Sequence, residues 1–406
     1  MLITLKTSNK SKFFNFFCTG EFMIESSEFL NACKTQGLNL FTGTPCSYLK
    51  PFINFVIDDP ELEFIGTTNE GDAVALASGA WLGGKLSVVM FQNSGLGNAV
   101  NPLTSLSYTS QIPLLGITTL RGEPGGKKDE PQHELMGQIT TEMLNLMKIP
   151  WAYFPEKSEE IDSTLKTAMT YMTEKRMPYF LVMRDGSVNT YELKSKGARQ
   201  NPKTYQTEIK KLTSGEPKLI RTEALKVLRD TFGPNAAYIA TTGKTGRELF
   251  EVGDTENQFY MVGSMGCALP IGLGLVAVKE KIKVCVIDGD GALMMRMGNM
   301  ALAGQMQPQN LVHVLLDNAV HDSTGGQKTL SEAIDFALIA KACGYQHIFE
   351  VDDEKGAVEA LKFLNEKKEL GFIRFLIKKG SPEKLGRPTV TPAQVAERLK
   401  NFIASK

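Results

Sequence analysis

Residues 289–327 read GDGALMMRMGNMALAGQMQPQNLVHVLLDNAVHDSTGGQ. A short apolar run, KVCVI at 283–287, leads into Asp288 and the triplet Gly289, Asp290, Gly291. A second run, LVHVLL at 311–316, leads into Asp317 and Asn318. Both runs have the length and β-branched content of buried strands. The apolar and small residues between them predict a helix that crosses back over a sheet. Two acidic or amide tips then lie at the carboxyl ends of neighbouring parallel strands, the edge where open α/β sheets bind ligands. Asp290 and Asn318 offer hard oxygen donors, and Gly291 lets backbone approach a ligand where a helix starts. Magnesium takes few protein oxygens and keeps phosphate oxygens as other ligands, and a helix N-terminus favours anions. The stretch therefore predicts a site for Mg²⁺ carrying a diphosphate.

The rest of the chain narrows the class. Its 406 residues are enough for two or three domains. Lys+Arg and Asp+Glu are both 45, so a zero net charge supports neither nucleic acid nor an anionic membrane as a partner. Any anion site must be a local cluster. The six cysteines contain no CxxC pair, and read as small core residues of a reducing, cytoplasmic compartment. Four histidines argue against a histidine metal cluster. No apolar run approaches the roughly 20 residues of a membrane-spanning helix.

Apolar runs at 39–43, 63–68, 86–92, 112–120 and 178–184 read as strands, and 25–36, 71–83, 134–147 and 158–175 as helices. Such alternation predicts a parallel α/β sheet. Residues 191–214 turn polar and read as a linker. A second α/β series follows, with helices at 221–232, 268–280, 331–343 and 391–404 and strands at 236–243 and 372–379. The expected domains are 23–190 and 215–406, two doubly wound parallel-sheet units of like architecture with no middle domain. Residues 1–22 are expected to be a disordered extension, with Met23 as the natural start.

Several strand-end segments carry candidate chemistry. Glu70 follows a strand at the start of an Ala-rich helix, where an acid is favoured by the dipole. Ala73, Ala75, Ala77 and Gly79 suit close helix packing. In RGEPGGKKDEPQH at 121–133, Arg121 can bind an anion with two parallel donors and His133 can move a proton near neutral pH. Thr242, Lys244 and Arg247 bring hydroxyl and cation to a strand end, as suits a phosphate or phosphonate. Neither a P-loop spacing nor a complete GxGxxG is present, which excludes those nucleotide sites. His313, inside a strand run, reads as a core residue.

The triplet at 289–291, followed after 26 residues by Asn318, resembles the thiamine diphosphate motif. The whole stretch resembles the phosphonopyruvate decarboxylases, and the likeness extends from about Met23 to the end. That resemblance implies thiamine diphosphate and Mg²⁺ as cofactors, with Asp290, Asn318 and the Val320 carbonyl as metal ligands. It implies Gly263, Ser264, Met265, Gly289, Gly291 and Ala292 as cofactor contacts, Met265 being the bulky residue beneath the bent cofactor. Glu70 would share a proton with N1′ of the aminopyrimidine. Arg121, Thr242, Lys244, Arg247, Asp322 and Ser323 would meet a small anionic 2-oxo acid. His133 or His321 would supply the proton that replaces CO₂. The implied activity is decarboxylation of 3-phosphonopyruvate to phosphonoacetaldehyde in phosphonate biosynthesis. Sulfopyruvate decarboxylation, carboligation and a non-catalytic cofactor-binding subunit are the alternatives. A homodimer or larger homo-oligomer is implied, with Glu70 facing Asp290 across the interface.

Overall fold

Runs of buried Val, Ile, Leu and Phe with no polar alternation can satisfy both faces only inside a layered sheet. The computed structural model, which describes residues 23–195 and 207–406, contains two such sheets. The segment 1–22 and the middle of the expected linker, 196–206, lie outside the described residues. The first sheet has six parallel strands. In spatial order they are Glu63–Gly66, Leu40–Gly43, Ser87–Phe91, Leu115–Thr119, Tyr179–Met183 and Trp151–Tyr153. The second has seven: Gln258–Tyr260, Ala237–Ala240, Val284–Gly289, Leu311–Asp317, Gly371–Leu376, His347–Val351 and Ile209–Leu212. Numbered along the chain within each half, both sheets run 2-1-3-4-6-5, and Ile209–Leu212 is added at the far edge of the second. The two halves are thus one topology used twice, although no sequence repeat marks it.

That added strand lies inside the stretch read as linker, so the second sheet begins before residue 215. The short strands Trp151–Tyr153, Gln258–Tyr260 and His347–Val351 were also absent from the sequence reading. Two have only three residues, too few to display periodicity. The helix expected between the two central strands is in fact two, Asp290–Met295 and Gly298–Met306, broken at Arg296 and Met297.

The halves meet along two helices, Glu70–Leu82 and Ala268–Val278, that beyond the acidic first turn of the former are almost wholly apolar. A helix of that composition must be buried all round. Here the two cross at glycines. A methyl group at Gly79 would lie 1.9 Å from the Ile271 carbonyl oxygen, and one at Gly274 would lie 1.8 Å from that of Leu76. One apolar cluster runs through the crossing, joining Leu76, Ala80 and Trp81 of the first half to Ile271, Leu275 and Val286 of the second. The closing helix Pro392–Ala404 returns to the first half, where Arg176 pairs with Glu397 at 2.7 Å.

His313 is fully buried, as its strand position predicts, between Asp288 at 3.2 Å and the Tyr345 hydroxyl at 3.1 Å. The described cysteines are all free thiols, and four of the five are buried. Among the described residues no helix is long and apolar enough to cross a membrane.

Candidate active site

The expected site residues lie in the segments that follow the carboxyl ends of strands, some in loops and some in the first turns of helices. In the second half, strand Val284–Gly289 delivers Asp290 to the first position of its helix, and strand Leu311–Asp317 delivers Asn318. Ala319 adopts φ +58°, a left-handed turn. Asp317 Oδ1 accepts the Ala319 N–H at 3.1 Å, and Asn318 Oδ1 accepts the Val320 N–H at 3.2 Å. These two bonds close the loop, which a two-strand hairpin, Val320–His321 with Gln327–Lys328, extends.

The Asp290 carboxylate is 3% exposed. Burial pushes its pKa above the usual carboxylate range, and the hydroxyl of Thr329 works against that shift while nearby Asp317 adds to it. Among the described residues its carboxylate forms no salt bridge, and the Thr329 hydroxyl donates to it. A buried carboxylate without a counter-ion is costly, and a divalent cation would remove the cost. No trio of His, Cys, Asp or Glu side chains among the described residues is arranged as a metal cage. Mg²⁺ takes few protein oxygens, and Asp290, the remaining lone pair of Asn318 Oδ1 and a backbone carbonyl such as that of Val320 would suffice for it when phosphate completes the shell. The residues present therefore fit a magnesium diphosphate.

Gly291 lies between two other expected residues. A methyl there would stand 2.5 Å from His321 Cε1 and 3.3 Å from Met265 Cε. Imidazole and thioether thus converge on the backbone of the triplet, and only glycine leaves room. Ala292 is buried behind it. Gly263 and Ser264 turn toward the first half instead. Ser264, at φ +52°, shares a hydrogen bond of 2.7 Å with the Ser105 hydroxyl, and a methyl at Gly263 would press on Ser105 at 2.7 Å.

In the first half, Asn69 caps helix Glu70–Leu82 by accepting the Gly71 N–H at 2.8 Å. Glu70 therefore projects from the first turn. Its carboxylate accepts from the Thr44 hydroxyl at 3.0 Å and from the Asn98 amide at 2.8 Å. Gly95 packs directly against its stem, where a methyl would lie 2.4 Å from Glu70 Cγ. Two neutral donors and a close wall fix one carboxylate orientation.

Arg121 is not a free cation. Its Nε and Nη2 donate to Asp129 at 2.9 and 2.5 Å, and its Nη1 donates to Gln92 at 3.3 Å. The guanidinium holds the Asp129 carboxyl down at about 2. The pair pins the glycine-rich loop, and below it His133 is 4% exposed with Nδ1 unpartnered. Arg247 is likewise engaged, donating to the carbonyls of Leu385 and Gly386. With Thr242, Gly243 and Tyr260 it lines a cavity of about 400 Å³ beneath the C-terminal segment. Lys244 is half-buried at the first position of helix Lys244–Val252, and Ser323 faces Gly243. Asp322 accepts from Arg221 at 2.7 Å and from the Asn318 amide at 2.6 Å. Its carboxylate thus ties the loop at Asn318 to the start of helix Arg221–Phe232.

Sequence reading gave no individual role to Thr44, Gly95 or Asn98, although the segments 43–50 and 91–106 stand out as turns at the sheet edge, and it passed over Arg221, Glu248, Arg296 and Thr329. Arg296 did carry a mark, being the one charge in an apolar stretch. It donates across the halves to Asn69 at 2.8 Å and Asp72 at 2.7 Å. Among the described residues no hydrogen bond or ion pair joins Glu70 or His133 to the second-half site residues.

Two family profiles match this chain. "Thiamine pyrophosphate enzyme, N-terminal TPP binding domain" covers residues 26–142, and its C-terminal counterpart covers residues 242–375. The phosphonopyruvate decarboxylase of Streptomyces viridochromogenes is 40% identical over 94% of this chain and 96% of its own length. That of Streptomyces hygroscopicus is 40% identical over 94% of each. The sulfopyruvate decarboxylase of Methanosarcina acetivorans is 28% identical over 92% of this chain and 96% of its own. A solved thiamine diphosphate-dependent 4-hydroxybenzoylformate decarboxylase of Rhodococcus jostii superposes with a TM-score of 0.68 at 12% identity, covering 88% of this chain and 99% of that one. The last likeness speaks to the fold alone. Sequence likeness along nearly the full length, on a duplicated sheet that sets a buried aspartate and an amide loop at one edge, leads to one conclusion: the chain belongs to the phosphonopyruvate decarboxylase family of thiamine pyrophosphate enzymes and is a decarboxylase.

Proposed function

We propose that the substrate is 3-phosphonopyruvate, which loses CO₂ to give phosphonoacetaldehyde in cytoplasmic phosphonate biosynthesis, with Mg²⁺ as the second cofactor. The supporting observation is the gap between 40% identity to two phosphonopyruvate decarboxylases and 28% to a sulfopyruvate decarboxylase, at nearly equal coverage. Asp290, Asn318 Oδ1 and the Val320 carbonyl would hold the ion and, through it, the diphosphate. Thiamine diphosphate, when bound, supplies the electron sink that accepts the bonding pair as CO₂ departs. The protein's own part is placement and proton traffic. Glu70, oriented by Thr44 and Asn98, would share a proton with the aminopyrimidine. Met265 would set the bend of the cofactor above Gly291, and His321 beside it would deliver the proton that takes the place of CO₂. His133, buried with a free ring nitrogen, is the second proton donor in reach of this reading.

A homodimer or larger assembly is part of the proposal. Glu70 and Asp290 are held by separate sets of contacts, and Val262, Met295 and Leu330, all beside the second-half turns, are more than half exposed. A second copy would cover those side chains and bring its Glu70 to this Asp290. Lys244 is the cation best placed for the phosphonate, since Arg121 is spent on Asp129 and Arg247 on backbone carbonyls.

Steady-state kcat/KM for phosphonopyruvate, sulfopyruvate and pyruvate tests the substrate. Phosphonopyruvate should be preferred, and pyruvate should fall by up to ~10⁴-fold because its methyl leaves polar site groups unpaired. Equal use of pyruvate would discard the anion site. A clear preference for sulfopyruvate would keep the reaction type and change the substrate.

A further inference from the structure

A chain of buried side chains runs from the body of the second half to the amide of Asn318. Glu248, on helix Lys244–Val252, has a side chain 0% exposed. It accepts from Arg221 Nη1 at 2.8 Å and from the Thr222 hydroxyl at 2.7 Å. Arg221, at the first position of helix Arg221–Phe232 with its side chain 7% exposed, turns its other nitrogen, Nη2, to Asp322 Oδ2 at 2.7 Å. The same Oδ2 accepts the Asn318 Nδ2–H at 2.6 Å. Asp322 also accepts the Gly380 N–H at 3.3 Å, from the segment after strand Gly371–Leu376. One carboxylate thus gathers a helix start, a strand-end segment and the amide loop. With its lone pairs so committed, and with negative charge, it is poorly suited to meet a doubly anionic substrate.

The geometry settles which way the Asn318 amide points. A carboxylate can only accept, so the atom facing Asp322 must be the NH₂. The Val320 N–H can only donate, so the atom facing it must be the oxygen. Without Asp322 one of these two constraints disappears, and a half-turn of the amide would point NH₂ where a cation needs oxygen. We propose that Asp322, locked by the buried Arg221–Glu248 pair, is a positioning residue that keeps Asn318 Oδ1 turned toward the metal and thereby sets the enzyme's magnesium requirement. Nothing in this role touches substrate. Partners behind a ligand typically account for 10–100-fold in metal affinity. The inference rests on the magnesium diphosphate reading of the site.

The test is calorimetric binding of thiamine diphosphate to the full chain at stepped Mg²⁺ concentrations, with the cofactor-free Tm measured beside it. Asp322→Ala should raise the Mg²⁺ needed for half-saturation by ~10-fold or more while leaving the cofactor-free Tm within a few degrees of wild type. Asp322→Asn keeps one oxygen able to accept from both Arg221 and Asn318, so it should recover most of the loss. Arg221→Lys, whose single ammonium cannot span both carboxylates, should fall between the two, and it carries the test should Asp322→Ala not fold. An unchanged Mg²⁺ requirement in Asp322→Ala would overturn the proposal. So would an Asp322→Asn protein as impaired as the alanine variant, because charge alone would then be at work. A wild-type protein that binds the cofactor without regard to Mg²⁺ would instead remove the magnesium reading itself.

Discussion

Alanine at position 95 would put a methyl group where Glu70 already is. The added carbon would lie 2.4 Å from Glu70 Cγ, 2.5 Å from Cδ and 2.6 Å from Oε1. Carbon atoms in good contact stand about 3.5–4.0 Å apart, so the glutamate must retreat by roughly 1 Å. It can do so, because the obstructed atoms belong to a flexible side chain and Gly95 itself has φ −74°, which alanine adopts freely. The fold should therefore survive, and Tm should stay within a few degrees. The carboxylate will not keep its place, since the Thr44 and Asn98 bonds that orient it, at 3.0 and 2.8 Å, lengthen together. A displacement of about 1 Å in a positioned group can cost ~10²-fold in rate. The expected result is a kcat for CO₂ release lower by that order, at an unchanged Mg²⁺ requirement. Gly97→Ala, two residues on and inside helix Leu96–Pro102, is the control. Nothing lies within 4 Å of its added methyl, so it should keep full activity and gain stability of roughly 0.5–1 kcal/mol from helix propensity. A Gly95→Ala enzyme with wild-type kcat would show that the position of the Glu70 carboxylate does not matter, and the role given to it would fall.

Two further outcomes follow from the loop and from the seam. The folded pKa of Asp129, about 2, lies below its unfolded value, so the Arg121 pair holds the loop above about pH 4 and lets go as pH falls toward 2. Asp129→Asn should open residues 122–130 to limited proteolysis at pH 7, whereas the wild-type loop should resist until strongly acid pH; equal resistance in both would contradict the pinning. Gly274→Ala should destabilise the chain by about 1–3 kcal/mol in denaturant unfolding, because the atom in its way is the Leu76 carbonyl oxygen, 1.8 Å from the new methyl, and backbone cannot swing aside. Unchanged stability would mean that the two helices do not cross at these glycines.

What the sequence determined by itself was local in character. The runs ending at Asp288 and Asp317, the triplet at 289–291 and the polar break after residue 190 are read within a few residues of one another, and strand burial, turn chemistry and carboxyl-edge position follow from them. The register of the two central strands, with Val284 opposite Leu311 and Gly289 opposite Leu316, brought Asp290 and Asn318 to one edge as their spacing required. Met265, Gly291 and His321 met there as well. The tertiary structure alone decided which charges were free. Arg121, expected to meet an anion, has Asp129 as a partner, and Asp322, expected to meet substrate, has Arg221, 101 positions earlier. Arg296, which the sequence reading passed over, finds its acceptor in Asp72, 224 positions away. Edge strands of three residues show no period, so only pairing reveals them. Periodicity and turn preference are properties of neighbouring residues and survive in one dimension. Whether a charged group is neutralised, and which way an amide faces, depends on partners that chain folding brings within 3 Å, and no spacing along the sequence records them.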